Sequence, residues 1–126
     1  MTPSTVLVVD DDEEVRHALR LLFELDGFSV VGEAANGVDG VALARRFQPD
    51  FVVLDSVMPR LGGAGTAEVL RAIAPSAKIV AFSAALEGRP PWADAYLNKD
   101  RIGEVAPLVT AMITGHGRTE PAGTLR

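Results

Sequence analysis

The sequence predicts an α/β fold: a three-layer sandwich built on a five-stranded parallel sheet of order 2-1-3-4-5, with helices on both faces. Three apolar runs predict it. Val6-Leu7-Val8-Val9 runs into Asp10-Asp11-Asp12, Phe51-Val52-Val53-Leu54 runs into Asp55, and Ile79-Val80-Ala81-Phe82 runs into Ser83. A run that is apolar at every position reads as a strand buried on both faces, the habit of parallel sheets. Segments of helical periodicity separate the runs, so right-handed crossovers join parallel strands. A parallel sheet puts its strand C-termini on one edge, and open α/β sheets bind ligands at that edge. Carboxylates after two strands and a hydroxyl after a third should therefore converge.

Each element has its own signal. Residues 5–10 form strand 1. Residues 13–26 form an amphipathic helix, with Val15, Ala18, Leu19, Leu22 and Phe23 at helical spacing. Asp12 suits its N-cap, Glu13 and Glu14 suit the positive end of its dipole, and Gly27 stops it. Residues 28–34 form strand 2, followed by the Asn36-Gly37 turn signal. Residues 38–47 form a second helix with Val41, Ala42 and Leu43 inside, and Pro49 ends it. Residues 50–55 form strand 3, and Met58 to Gly63 form a loop. Residues 65–73 form a third helix that stops before Pro75. Residues 78–83 and 94–98 are strands 4 and 5. Residues 101–114 form the last helix, with Ile102, Val105, Val109, Met112 and Ile113 on one face. Pro107 is tolerated there if the helix starts near Glu104, and kinks it if it starts at Arg101. Residues 1–114 make one domain. The Gly-, Thr- and Pro-rich stretch 115–126 reads as a flexible tail or linker stub.

The totals narrow the function. A chain of 126 residues makes one domain, and a domain of this size buries roughly two-thirds of its unfolded surface. Apolar residues make up 48% and charged residues 23%, which is ordinary for a globular chain. The net charge of −5 argues against nucleic acid as a direct partner. There is no cysteine, hence no disulfide, thiolate metal site or thiol nucleophile. No apolar run nears the ~20 residues that span a bilayer. The first residues lack the basic and apolar regions of a signal peptide, so the expected location is cytoplasmic.

Asp10, Asp11, Asp55, Ser83 and Lys99 form the candidate site. Three packed carboxylates repel one another, so the cluster needs a cation. Hard oxygens, no cysteine and no nearby histidine favour Mg2+ over zinc. A carboxylate beside Mg2+ is a nucleophile toward a phosphoryl group, giving an aspartyl phosphate. Ser83 and Lys99 would supply the hydroxyl and fixed cation for the phosphoryl oxygens.

These pieces, in order, resemble a response-regulator receiver domain of two-component signalling, with the fold of the chemotaxis regulator. The resemblance runs from about Thr5 to Ile113. It rests on the acidic opening at 6–12, Asp55-Ser56-Val57-Met58-Pro59 with Gly63 following, Phe82-Ser83-Ala84, and Tyr96-Leu97-Asn98-Lys99. It implies that Asp55 is the phosphoacceptor. It implies Mg2+ on Asp10, Asp11, Asp55 and the Val57 main-chain carbonyl, and Ser83 and Lys99 on the phosphoryl group. The donor would be a sensor histidine kinase or a phosphotransfer protein. Ser83 and Tyr96 would form the switch, a bistable element that phosphorylation biases. The chain would then be a signalling switch that acts on itself rather than an enzyme. The downstream effector is open, as is a homodimer.

The sequence departs from the family between Ser83 and Tyr96. Only residues 84–95 intervene, and they include Gly88, Pro90 and Pro91. Paired prolines oppose a helix interior. The helix that the family fits between strands 4 and 5 is expected to be shortened or replaced by a loop, with Trp92 plugging the gap it leaves. Asp100 stands where the family often has proline and is read as a cap for the last helix. Val57 and Ala85 are apolar where the family often carries side chains that tune phosphoryl hydrolysis. Arg60 is read as an exposed loop residue, and His17 as a surface residue. Two other functions compete. One is a receiver-fold adaptor that binds partners without phosphorylation. The other is an aspartate-nucleophile phosphohydrolase, suggested by Asp10 and Asp12 flanking one residue, but such enzymes need more chain than this.

Overall fold

The computed structural model describes residues 3–84 and 86–115. Strands β1 (Thr5–Val9), β2 (Ser29–Ala34), β3 (Phe51–Leu54), β4 (Lys78–Ser83) and β5 (Ala95–Asn98) alternate with helices α1 (Glu13–Leu25), α2 (Gly37–Phe47) and α3 (Gly62–Ile73). A 3-10 segment, Lys99–Glu104, leads into α4 (Val105–Thr114). The strands form one sheet of order β2-β1-β3-β4-β5, and every pairing is parallel. Order and class are those the apolar runs predict.

The sheet has a core on each face because side chains alternate along each strand. On the α1 and α4 side, Val6, Val8, Val53 and Phe82 pack with Phe23 and Val109. On the α2 and α3 side, Leu7, Val9, Val52, Leu54 and Ile79 pack with Leu70. All four residues of β3 are buried, so its two faces feed both cores and its end is fixed from both sides.

Local chemistry sets the ends. Asp12 caps α1, accepting the Glu14 amide at 2.9 Å. Gly27 has φ +88°, a left-handed turn that reverses the chain into β2. Pro107 falls in the first turn of α4, where a missing N–H is tolerated and no kink results. The break lies earlier, at Arg101, whose non-helical backbone kinks the 3-10 segment itself.

Three expectations are corrected. In α2 the buried residues are Gly37, Gly40 and Ala44, and Ala42 is exposed; Gly40 lets the helix lie close against Val9 of β1, and Gly37 lies close against Leu61 and Thr66. Ile113 is exposed although it continues the Val105–Val109 face, because it lies in the last turn of α4, where the burial of that face has run out. Asp100 caps nothing: Asn98 and Glu104 stand at the two N-cap positions, and neither makes a side-chain capping bond.

Between β4 and β5 none of the described residues is helical; Ala85 lies outside the described residues. Half-buried Trp92 and Leu86 pack on the α2 and α3 core, the place of the missing helix. Arg71 of α3 ties the segment down, donating to the Trp92 carbonyl at 3.0 Å and to Asp94 at 3.2 Å. Asp94 also accepts the Ile79 amide at 2.7 Å. Gly115 ends α4 with φ +80°. The rest of the expected tail, including His116, lies outside the described residues.

Candidate functional site

The C-terminal edge of the sheet carries the site. β1 and β3 are register-matched neighbours, Val9 opposite Leu54, so Asp10 and Asp55 emerge side by side. The Asp55 amide donates to the Val9 carbonyl at 3.0 Å, carrying the ladder one step beyond the strands. β4 lies on the other side of β3 and brings in Ser83; β5 follows with Asn98, and Lys99 comes next.

Asp55 is 4% exposed and held from three directions. Its Oδ1 accepts the Ser83 hydroxyl at 3.1 Å and the Val57 amide at 3.2 Å. Its Oδ2 accepts from Lys99 Nζ at 3.2 Å. Gly63 lies so close that a Cβ there would come within 2.8 Å of the Asp55 carbonyl oxygen. The loop after Asp55 therefore sits directly against the start of α3.

Asp10 is 1% exposed. Its Oδ1 accepts the Asp12 amide at 2.9 Å. Its Oδ2 forms an ion pair with Lys99 Nζ at 2.9 Å. Burial raises the Asp10 carboxyl above its ordinary value; the Asp12 amide and Lys99 oppose the rise, and the charge of Asp55 adds to it. Burial disfavours the Lys99 ammonium, but the pull of Asp10 and Asp55 outweighs it and raises the lysine.

Asp11 is exposed and completes the acidic group. Asp10, Asp11 and Asp55 can each offer one carboxylate oxygen, all within 4.8 Å of one another. Lys99 pairs with Asp10 and Asp55, and Asp11 adds a third carboxylate beside them. The donor set is all oxygen. That chemistry fits a hard divalent cation such as Mg2+.

The structure thus brings together Asp10, Asp11, Asp55, Ser83 and Lys99. Val57 is adjacent and 77% exposed. Tyr96 stands apart on β5, 40% exposed, with its ring in an outward position. Arg60 and His17 are exposed, as expected. Sequence reasoning missed Arg16. Its guanidinium donates to the Asp10 carbonyl at 2.7 Å. It also faces Glu33 at 3.5 Å, and Arg20 holds Glu33 at 2.6 Å. The available signal was a glutamate inside an apolar strand, opposite two arginines four residues apart on α1.

A parallel sheet of order β2-β1-β3-β4-β5, with a buried carboxylate, a lysine and an acidic cluster at its C-terminal edge, defines a flavodoxin-like receiver fold. The family of response regulator receiver domains matches residues 6–99. The chain belongs to this family. It is 36% identical over 105 residues to the nitrate/nitrite response regulator NarL of Escherichia coli, covering 78% of this chain and 49% of NarL. Among solved structures it resembles the response regulator domain of Thermotoga maritima CheB, with a TM-score of 0.78 and 25% identity, covering 94% of this chain and 99% of that one. It also resembles a LuxR-family two-component response regulator from Aurantimonas sp. SI85-9A1, with a TM-score of 0.80 and 28% identity, covering 90% and 87% of the two chains. The chain spans about two-fifths to half the length of the curated relatives it matches. Among the described residues no helix is long and apolar enough to cross a membrane.

Proposed function

We propose that residues 1–114 act as a phosphoacceptor switch in a two-component system, taking a phosphoryl group from a sensor histidine kinase onto Asp55. The observation that carries this reading is the setting of Asp55. It is a buried carboxylate at a strand end, with Lys99 on one oxygen and Ser83 on the other.

An Asp55 oxygen attacks phosphorus in line, the phosphorus–nitrogen bond of a phosphohistidine breaks, and the imidazole leaves with the bonding pair. Lys99 already faces the acceptor and would meet the oxygens of the transferred group. Ser83 would turn its hydroxyl from Asp55 to a phosphoryl oxygen. Asp10, Asp11, Asp55 and the Val57 carbonyl would hold Mg2+, which neutralises phosphoryl charge when bound. Movement of Ser83 would empty space beside β4 and let Tyr96 turn inward from its exposed position. Receiver domains work with histidine kinases inside cells, which supports a cytoplasmic setting and a kinase or phosphotransfer partner.

One observation favours a second reading, a receiver-fold adaptor. The described residues between β4 and β5 form no helix, so a surface next to the site is remodelled. Beryllofluoride with Mg2+ separates the two. A switch gives amide shifts around Asp55, Ser83 and Tyr96 in the wild type and none in Asp55→Asn. An adaptor gives no shifts in either.

A further inference from the structure

Metal-site carboxylates depend on what holds their backbone, and here the holder lies outside the acidic cluster. The Asp10 amide donates to the Ala34 carbonyl at 3.0 Å. The Asp10 carbonyl accepts from Arg16 at 2.7 Å. The peptide joining Asp10 to Asp11 is thus gripped by a side chain one turn into α1. Arg16 is itself fixed: its side chain is 15% exposed, and it faces Glu33, on β2, whose side chain is 18% exposed. Glu33 lies opposite Val8 in the sheet register, so a strand anchors the arginine. Arg20 shares Glu33 at 2.6 Å but makes no bond to Asp10.

We propose that Arg16, anchored by Glu33, is a positioning residue for the cation site: it sets the direction of the Asp10–Asp11 peptide so that the exposed Asp11 carboxylate faces Asp10 and Asp55. The proposal rests on the reading of Asp10, Asp11 and Asp55 as Mg2+ ligands. It makes a prediction opposite in sign to plain electrostatics. Arg16 is a cation near a cation site, so deleting its charge should tighten Mg2+ binding if charge were its only role. If it orients the ligands, deleting it weakens binding, as loss of the groups that hold metal ligands commonly does.

The test is a Mg2+ titration followed by NMR amide shifts on the wild type, Arg16→Met, Arg16→Lys and Arg20→Met. The spectra also report folding, and Arg16→Lys keeps the charge if Arg16→Met folds poorly. The expected result is about tenfold weaker Mg2+ binding in both Arg16 variants, with Arg20→Met close to the wild type. Tighter binding in Arg16→Met, unchanged binding in Arg16→Lys, or an equal loss in Arg20→Met overturns the positioning role. Absence of saturable Mg2+ binding in the wild type overturns the cation site itself.

Discussion

Lys99→Met isolates the electrostatics of the site. Lys99 Nζ lies 2.9 Å from Asp10 Oδ2 and 3.2 Å from Asp55 Oδ2, and those side chains are 2% and 5% exposed. Methionine keeps the stem and removes the charge, leaving two buried carboxylates against each other. Removing one partner of a buried ion pair costs about 3–5 kcal/mol. The Lys99 side chain is 23% exposed, and exposed Asp11 opens the site to water, so the lower end applies. The expected loss is about 3 kcal/mol at neutral pH, or about 10 °C in Tm for a domain of this size.

The pH dependence has a definite sign. The folded-state pKa of Asp10 is raised, so the folded state binds more protons than the unfolded state, and stability falls as pH rises through that window. Loss of Lys99 removes a group that opposes the rise and extends the window toward neutrality. The deficit of the variant should therefore shrink as pH is lowered from neutral toward the ordinary carboxylate range. Lys99 is itself raised above the ordinary lysine value of 10.5, so its contribution is fully present below that value and is lost only in strong alkali. Added Mg2+ should also shrink the deficit by neutralising the same carboxylates. Urea unfolding of both proteins across pH, with and without Mg2+, measures all three effects. A variant within about 0.5 kcal/mol of the wild type at neutral pH, or a deficit that grows on acidification, refutes the reasoning.

Other substitutions probe the surroundings. A Cβ at Gly63 would lie 2.7 Å from the Ser56 Cα and 2.8 Å from the Asp55 carbonyl oxygen, both backbone. Gly63→Ala should cost about 1–3 kcal/mol in urea unfolding and slow acetyl phosphate labelling, whereas Gly103→Ala, with nothing within 4 Å, should do neither. Trp92→Ala should lose about 2 kcal/mol in the same assay, less than a fully buried Trp because Trp92 is half-buried. It should keep partner binding in a pull-down; loss of binding with unchanged stability would make Trp92 a contact rather than a plug. Val57 is exposed and apolar and orients no water, so the aspartyl phosphate should persist well beyond seconds; decay within seconds, followed by intact mass, contradicts this.

The fold was legible where burial is two-sided. Val52, Val53 and Leu54 are apolar in succession because helices cover both faces of β3; a strand with one face in water would alternate instead. Asp55 and Ser83 follow directly from such strands, so their convergence could be read from the sequence. The poorly legible parts depend on geometry that periodicity does not carry. Ala42 and Ile113 fit a helical stripe, but α2 turns Gly40 and Ala44 inward instead of Ala42, and Ile113 falls in the last turn of α4, where its face is no longer covered. The start of α4 was ambiguous because Pro107 suits a start near Glu104, while the residues from Lys99 already coil as a 3-10 segment. Arg16 was harder to read because its bond reaches back to a main-chain carbonyl, and the Glu33, Arg16 and Arg20 pattern marks an ion pair without pointing to Asp10. The absence of a helix among the described residues between β4 and β5 was readable from Pro90 and Pro91, whereas the clamp from Arg71 was not.

The central claim is that Asp55 accepts the phosphoryl group with the help of Mg2+. The most direct measurement is intact-mass analysis after incubation with acetyl phosphate and Mg2+, followed by peptide mapping of the labelled residue. The account predicts one phosphoryl group on Asp55 in the wild type, lost on adding a chelator and absent from Asp55→Asn. Labelling that survives in Asp55→Asn, maps to another residue or proceeds without Mg2+ would contradict it.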